Sequence, residues 1–224
     1  ISYPQYDQFY EDIVFIQGNA SDSANPIGNS GVLTNGTYIT IIRDENENEV
    51  IDVGSDYIWD NSQSTWVVYT GTLLWMQTTG GSAWQSPNMG GKWKSGKLYW
   101  VKSRSTDKAG NIQDEATAGW TRFWIALPAN SFVVTPSITN FTAGTGINVT
   151  VKAIDVNGNT VKNYTGTIQF RVFNPDDSTY GPEVYRPAGK LDSEYYPEEG
   201  WLPSTYTYTL ANKGLKTFSA AISS

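Results

Sequence analysis

The sequence predicts an all-β chain folded as two tandem sandwiches. Three observations predict it. Short runs alternate apolar with polar residues, clusters of Gly, Asn, Asp and Pro separate nearly every pair of runs, and no segment keeps apolar residues at i, i+3, i+4 and i+7 through three turns. Many short strands at such spacing are the pattern of sandwiches.

The runs follow in order. The first half holds "EDIVFIQG" (11–18), "GTYITIIRD" (36–44), "STWVVYTGTLLWMQT" (64–78), "KLYWVKSRS" (97–105) and "WTRFWIAL" (120–127). Behind "ALPAN", Ala126–Asn130, the pattern resumes with "SFVVTP" (131–136), "GINVTVKAID" (146–155), "TGTIQFRVF" (165–173), "TYTYTLA" (205–211) and "KTFSAAIS" (216–223). The proline-bearing break predicts a boundary, giving units 1–127 and 128–224, each of ordinary sandwich size.

Composition narrows the chemistry. The 224 residues are 39% hydrophobic, 17% charged and 14% aromatic, and no stretch approaches the length of a membrane-spanning helix. His and Cys are both absent, which excludes Ser-His-Asp and Cys-His nucleophile systems, disulfides and zinc sites of the usual ligand types. The net charge of −7 opposes nucleic-acid binding, and it is uneven: residues 1–127 carry fourteen acidic and eight basic side chains, residues 128–224 eight and seven. A cysteine-free chain rich in Thr, Asn, Gly and Tyr fits an exported microbial surface protein. Ile1 is no initiator Met and no leader follows it, so the sequence reads as a mature segment or an excised piece.

Two stretches say nearly the same thing: "STDKAGN" (105–111) and "AIDVNGN" (153–159). A calcium loop of the EF-hand kind wants oxygen ligands at positions 1, 3 and 5, Gly at 6 and Glu at 12. "DVNGN" places Gly158 at position 4 and Gly166 at position 12, and "DKAGN" puts Lys108 and Ala109 between its outer oxygens. As turns both work, with Gly supplying the left-handed conformation and Asp and Asn bonding the local backbone.

These residues also carry a resemblance. "YWVKSRSTDKAGNIQDEATAGWTRFWI" (99–125) and "DIVFIQGNASD" (12–22) resemble the bacterial immunoglobulin-like (Big-type) domains repeated in large exported surface proteins. "NVTVKAIDVNGN", "NYTGTIQF", "WLPSTYTYTLANKG" and "KTFSAAI" resemble a related type. The resemblance implies two tandem immunoglobulin-like β-sandwiches. It also implies a further strand beyond Ser224, so the second sandwich lacks its final strand. Either the sequence stops before that strand, or another copy or a downstream segment donates it. Where the family has a short link, this chain inserts "STYGPEVYRPAGKLDSEYYPEEG" (178–200).

Candidate sites follow. In the loop 78–97, Trp84 and Trp93 stand among Gly, Ser, Asn and Lys. With Gln85 and Asn88 they suit a sugar ring gripped by stacking and directed hydrogen bonds, the alternative being rings folded back over a sandwich edge as an ordered flap. Trp75, Trp100, Trp120 and Trp124 fall in strand patterns and are expected to be core or sheet-face aromatics. Asp176, Asp177, Asp192, Glu194, Glu198 and Glu199, in or beside the insertion, offer hard oxygens for calcium, the alternative being a solvated loop. The acidic run "RDENENEVIDVGSD" (43–56) reads as a solvated hairpin tip. The expectation is therefore a non-catalytic extracellular module, a spacer or assembly unit of S-layer, adhesin or filament type. Its partners would be neighbouring domains of the same polypeptide and, by strand addition, other copies, with no nucleic acid and no membrane insertion. The alternative is a carbohydrate-binding module acting on glycans. No cofactor beyond possible calcium is expected.

Overall fold

The computed structural model describes residues 1–22, 30–116, 118–140, 146–170 and 205–221. The chain is all-β and divides into two compact units, Ile1–Leu127 and Pro128–Ser224. No helix among the described residues is long and apolar enough to cross a membrane.

The first unit contains β1 (Gln8–Tyr10), β2 (Gln17–Asn19), β3 (Val32–Asp44), β4 (Tyr57–Asp60), β5 (Thr65–Val68), β6 (Met76–Gln77), β7 (Thr79–Gly80), β8 (Ala83–Gln85), β9 (Lys97–Asp107) and β10 (Thr121–Ile125). One sheet runs β1-β10-β9-β3-β4-β5, with β6 also paired to β3, and a three-stranded sheet runs β2-β8-β7. All pairings are antiparallel except β1 with β10, which run parallel with Gln8 opposite Phe123 and Tyr10 opposite Ile125. β3 and β9 form its long central ladder, regular from Thr37 to Asp44 and shifted in register between Val32 and Thr37, and their Ile, Val, Thr, Tyr and Trp residues suit a pleated sheet.

Both sheets contribute to one core. Ile39 and Ile41 of β3, Tyr99 and Val101 of β9, Phe123 and Ile125 of β10, and Trp84 of β8 bury together with Ile13, Ile16 and Met89. Tyr99 and Phe123 stack with centroids 5.5 Å apart, and Trp93 meets Tyr99 edge-on at 4.9 Å. On the other face of β10, the Arg122 guanidinium forks onto Asp7, with Nε 2.6 Å from Oδ1 and Nη2 2.8 Å from Oδ2. Asp7, the stronger cause, pushes the Arg122 pKa up against its partial burial.

The structure departs from the expected strands at particular places. The run 64–78 is two strands, β5 and β6, interrupted at Gly71 with φ +94°. The run 11–18 pairs only from Gln17, and its apolar Ile13 and Ile16 enter the core from irregular chain. β1, β4, β7 and β8 add four short strands that alternation did not mark.

The second unit contains β11 (Ser131–Pro136), β12 (Gly146–Ile154), β13 (Thr167–Gln169), β14 (Thr205–Thr207) and β15 (Leu215–Ala221). They form a three-stranded sheet β11-β12-β15 and a pair β13-β14. Ile147, Val149 and Val151 of β12 point inward at every second position and bury with Ile168, Tyr208 and Phe218. Tyr208 donates its hydroxyl to the Val151 carbonyl at 2.8 Å, which satisfies the polar end of a fully buried ring.

Candidate functional site

The tryptophan loop is built differently from its sequence appearance. Thr79–Gly80 and Ala83–Gln85 form a tight hairpin, and β8 pairs with β2 so that Trp84 stands opposite Gly18. The Trp84 ring is 4% exposed and belongs to the core. Trp93 is half-buried: its indole N–H donates to the Ile13 carbonyl at 2.7 Å, and its ring packs against Tyr99 and Phe123. Asn88 Oδ1 accepts the Gly90 N–H at 2.8 Å, and the Gln85 backbone lies within β8. Trp84 therefore offers no exposed face to a sugar ring and Trp93 only part of one, while Gln85 is half-buried and Asn88 exposed. The two rings fold into the sandwich, because large indole faces gain more from the core than from water and Trp93 finds a carbonyl partner there.

The acidic tip 43–56 is not simply solvated either. Asp44 and Asp56 are both fully buried. Asp44 accepts the N–H groups of Glu47 at 2.7 Å and Glu49 at 2.8 Å, while Asp56 accepts those of Glu45 at 3.1 Å and Asp52 at 2.7 Å. Burial above all, aided by neighbouring Asp44 and Asp52, pushes the Asp56 pKa up against those two backbone bonds. Lys97 Nζ lies buried against the loop, 2.7 Å from the Glu45 carbonyl and 2.9 Å from Glu47 Oε1. Burial raises the Glu45 pKa, but the ion pair with Lys94, together with Arg43 and Lys97, outweighs it and holds the carboxyl low. The cluster pins a long loop to the sheet. Among the described residues, no three His, Cys, Asp or Glu side chains converge to hold a metal.

The two Gly-Asn stretches form the same turn in both units. Gly110 N donates to the Asp107 carbonyl at 3.1 Å, and Asn111 N donates to Asp107 Oδ1 at 2.8 Å. Gly158 N donates to the Asp155 carbonyl at 3.0 Å, and the N–H groups of Asn157 and Asn159 each lie 2.9 Å from Asp155 Oδ1. Both glycines take positive φ, +90° and +82°, at the position where the turn needs it. The chain then re-pairs through Thr106 with Ile112 and Ile154 with Thr160. The carboxylates are used by the turn backbone, as the turn reading expects. The calcium candidates Asp176, Asp177, Asp192, Glu194, Glu198 and Glu199 lie outside the described residues.

No family model, no curated protein and no solved structure matches the chain.

Proposed function

We propose that the chain is a non-catalytic structural segment of an extracellular microbial surface protein, immunoglobulin-like sandwiches in series that extend, space or assemble it. The observation that carries this reading is the strand order of the first unit. In an immunoglobulin sandwich of the variable type, strands G, F, C, C′ and C″ lie side by side across from B, E and D. The order β10-β9-β3-β4-β5 across from β2-β8-β7 follows that scheme. The same local Asp-Gly-Asn turn recurs after β9 in one unit and after β12 in the other, at different places in the strand order. Fold alone fixes no activity, but the polar side chains add support: Asp44, Asp56, Asp107, Asp155 and Arg122 each hold backbone or loop in place.

Assembly has its own support in β11. This strand pairs with β12 on one side and, among the described residues, with nothing on the other. Phe132 and Val134 lie opposite buried Ala153 and Val151, hence on the core-facing side, yet are 41% and 58% exposed. An edge with open backbone groups and uncovered apolar residues is suited to strand addition by another copy.

Protease treatment of intact source cells, followed by mass spectrometry of the released peptides, tests the surface assignment. Peptides of this chain are expected in the released fraction. Their recovery only after lysis overturns the proposal.

A further inference from the structure

The inward row of the large sheet changes character at one end. On β9 it runs Tyr99, Val101, Ser103, Ser105. On β3, Ile41, Ile39 and Thr37 lie opposite the last three of these, and on β10 Phe123 gives way to Thr121. Three adjacent strands thus turn from apolar to hydroxyl-bearing at the same end, where alternation calls for more core. Polar residues at core-facing positions destabilise a sandwich unless they are hydrogen-bonded to protein, water or a ligand, and here Ser103, Ser105 and Thr121 remain half-exposed. Thr37 and Ser105 share a hydrogen bond of 2.8 Å between their hydroxyls. A cavity of about 570 Å³ lies at this end, lined by Ser103, Ser105 and Thr121, by Asn19 at the end of β2 and Ser21 and Asp22 beyond it, and by Asn111 and Gln113.

We propose that this cavity is a binding site for a neutral saccharide of one or two rings. The cavity is a cleft half-open to solvent, with a volume within the range of small-molecule sites. Hydroxyls and amides both donate and accept, which is what a sugar hydroxyl requires, and Val32 and Ile112 provide apolar wall for ring C–H groups. Charge selects against anions: Asp22 and Asp107 border the cavity, and no Lys or Arg is among its described lining residues. The two carboxylates do not form a cation site. Asp22 Oδ2 accepts Gly31 N–H at 2.9 Å, and both Asp107 oxygens accept from Asn111 at 2.8 and 2.7 Å. The site lies apart from Trp84 and Trp93 and stands independently of the spacer role.

The test is an amide-resolved NMR titration of the ¹⁵N-labelled 224-residue chain with glucose, galactose, mannose and N-acetylglucosamine in separate samples, and with glucuronate as the anionic control. At least one neutral sugar is expected to shift the amides of Ser103, Ser105 and Thr121 saturably, with glucuronate weaker. Ser103→Leu, which fills the cavity, should abolish the shifts. Gln113→Ala, at an exposed rim position, should weaken binding by roughly three- to tenfold, the loss of one hydrogen bond, and it decides the matter if Ser103→Leu does not fold. The proposal is overturned if none of the four sugars shifts these amides, if glucuronate binds as tightly, if the shifts persist in folded Ser103→Leu, or if Gln113→Ala binds as tightly as the parent chain.

Discussion

Gly18 lies directly beneath the ring of Trp84: a Cβ built at position 18 would stand 2.2 Å from Trp84 Cζ2 and 2.6 Å from Cε2. The pair couples β2 to β8 and lets the indole lie flat across the strand into the core. The glycine is required here by close approach, since its φ is not in the left-handed region. Gly18→Ala must displace a buried ring and is expected to lower stability by about 1–3 kcal/mol. Thermal unfolding followed by near-ultraviolet circular dichroism checks this, and an unchanged melting temperature would refute the contact.

Trp84→Ala should lower stability by about 3–5 kcal/mol, the range for emptying a core aromatic site. Trp93→Phe loses the bond to the Ile13 carbonyl and should lower it by about 1 kcal/mol. Neither change is expected to affect glycan binding except through unfolding. A loss of glycan affinity at unchanged melting temperature would restore the sugar platform.

Burial, aided by Tyr164 and Tyr206, pushes the Tyr208 hydroxyl up to about 12 from its ordinary 10.0. A raised folded pKa means the stabilisation is complete below pH 10 and is lost as pH rises toward 12. Tyr208→Phe should be about 1 kcal/mol less stable at neutral pH, having lost its bond to Val151, and flatter through the alkaline window. Chemical denaturation at a series of pH values decides it. Parallel profiles for the two proteins would show that Tyr208 is not the titrating group.

Asp155→Ala removes the acceptor for two backbone N–H groups at a nearly fully buried carboxylate and is expected to cost about 1–3 kcal/mol in the second unit. Asp107→Ala, in a more exposed copy of the same turn, should cost less. Hydrogen exchange localises each loss. Equal losses would mean that burial does not distinguish the two turns.

Val134→Lys places a charge on the open edge β11. Sedimentation equilibrium should show concentration-dependent association of the parent chain and its loss in the variant. A parent chain that stays monomeric at every concentration would eliminate copy-to-copy strand addition.

What the sequence revealed depended on strand length. β3, β9, β11 and β12 are long enough for alternation to show, and they fall within a few residues of the expected runs. β4, β7 and β8 hold only two to four residues, so their pairing comes from neighbours and leaves little periodic trace. The same shortness hid Trp84, whose polar and glycine-rich surroundings resemble a loop although its register opposite Gly18 buries it. Asp44 and Asp56 were equally hidden, because side-chain bonds to backbone N–H groups have no spacing signature. The hydroxyl row of Ser103 and Ser105 was visible as alternation, but only the pairing with Thr37 and the neighbouring Thr121 shows that it faces inward.

The parallel pairing of β1 with β10 has a mechanical consequence. A tensile load applied at residues 1 and 127 reaches the two strands at opposite ends, near Gln8 on one and Ile125 on the other. The interstrand bonds are then sheared together, whereas an antiparallel pair pulled from its open end peels apart one bond at a time. Beside them the Arg122 fork on Asp7 lies in the same load path, bridging the start of β1 to β10. The first unit is thereby clamped at the edge where tension enters it.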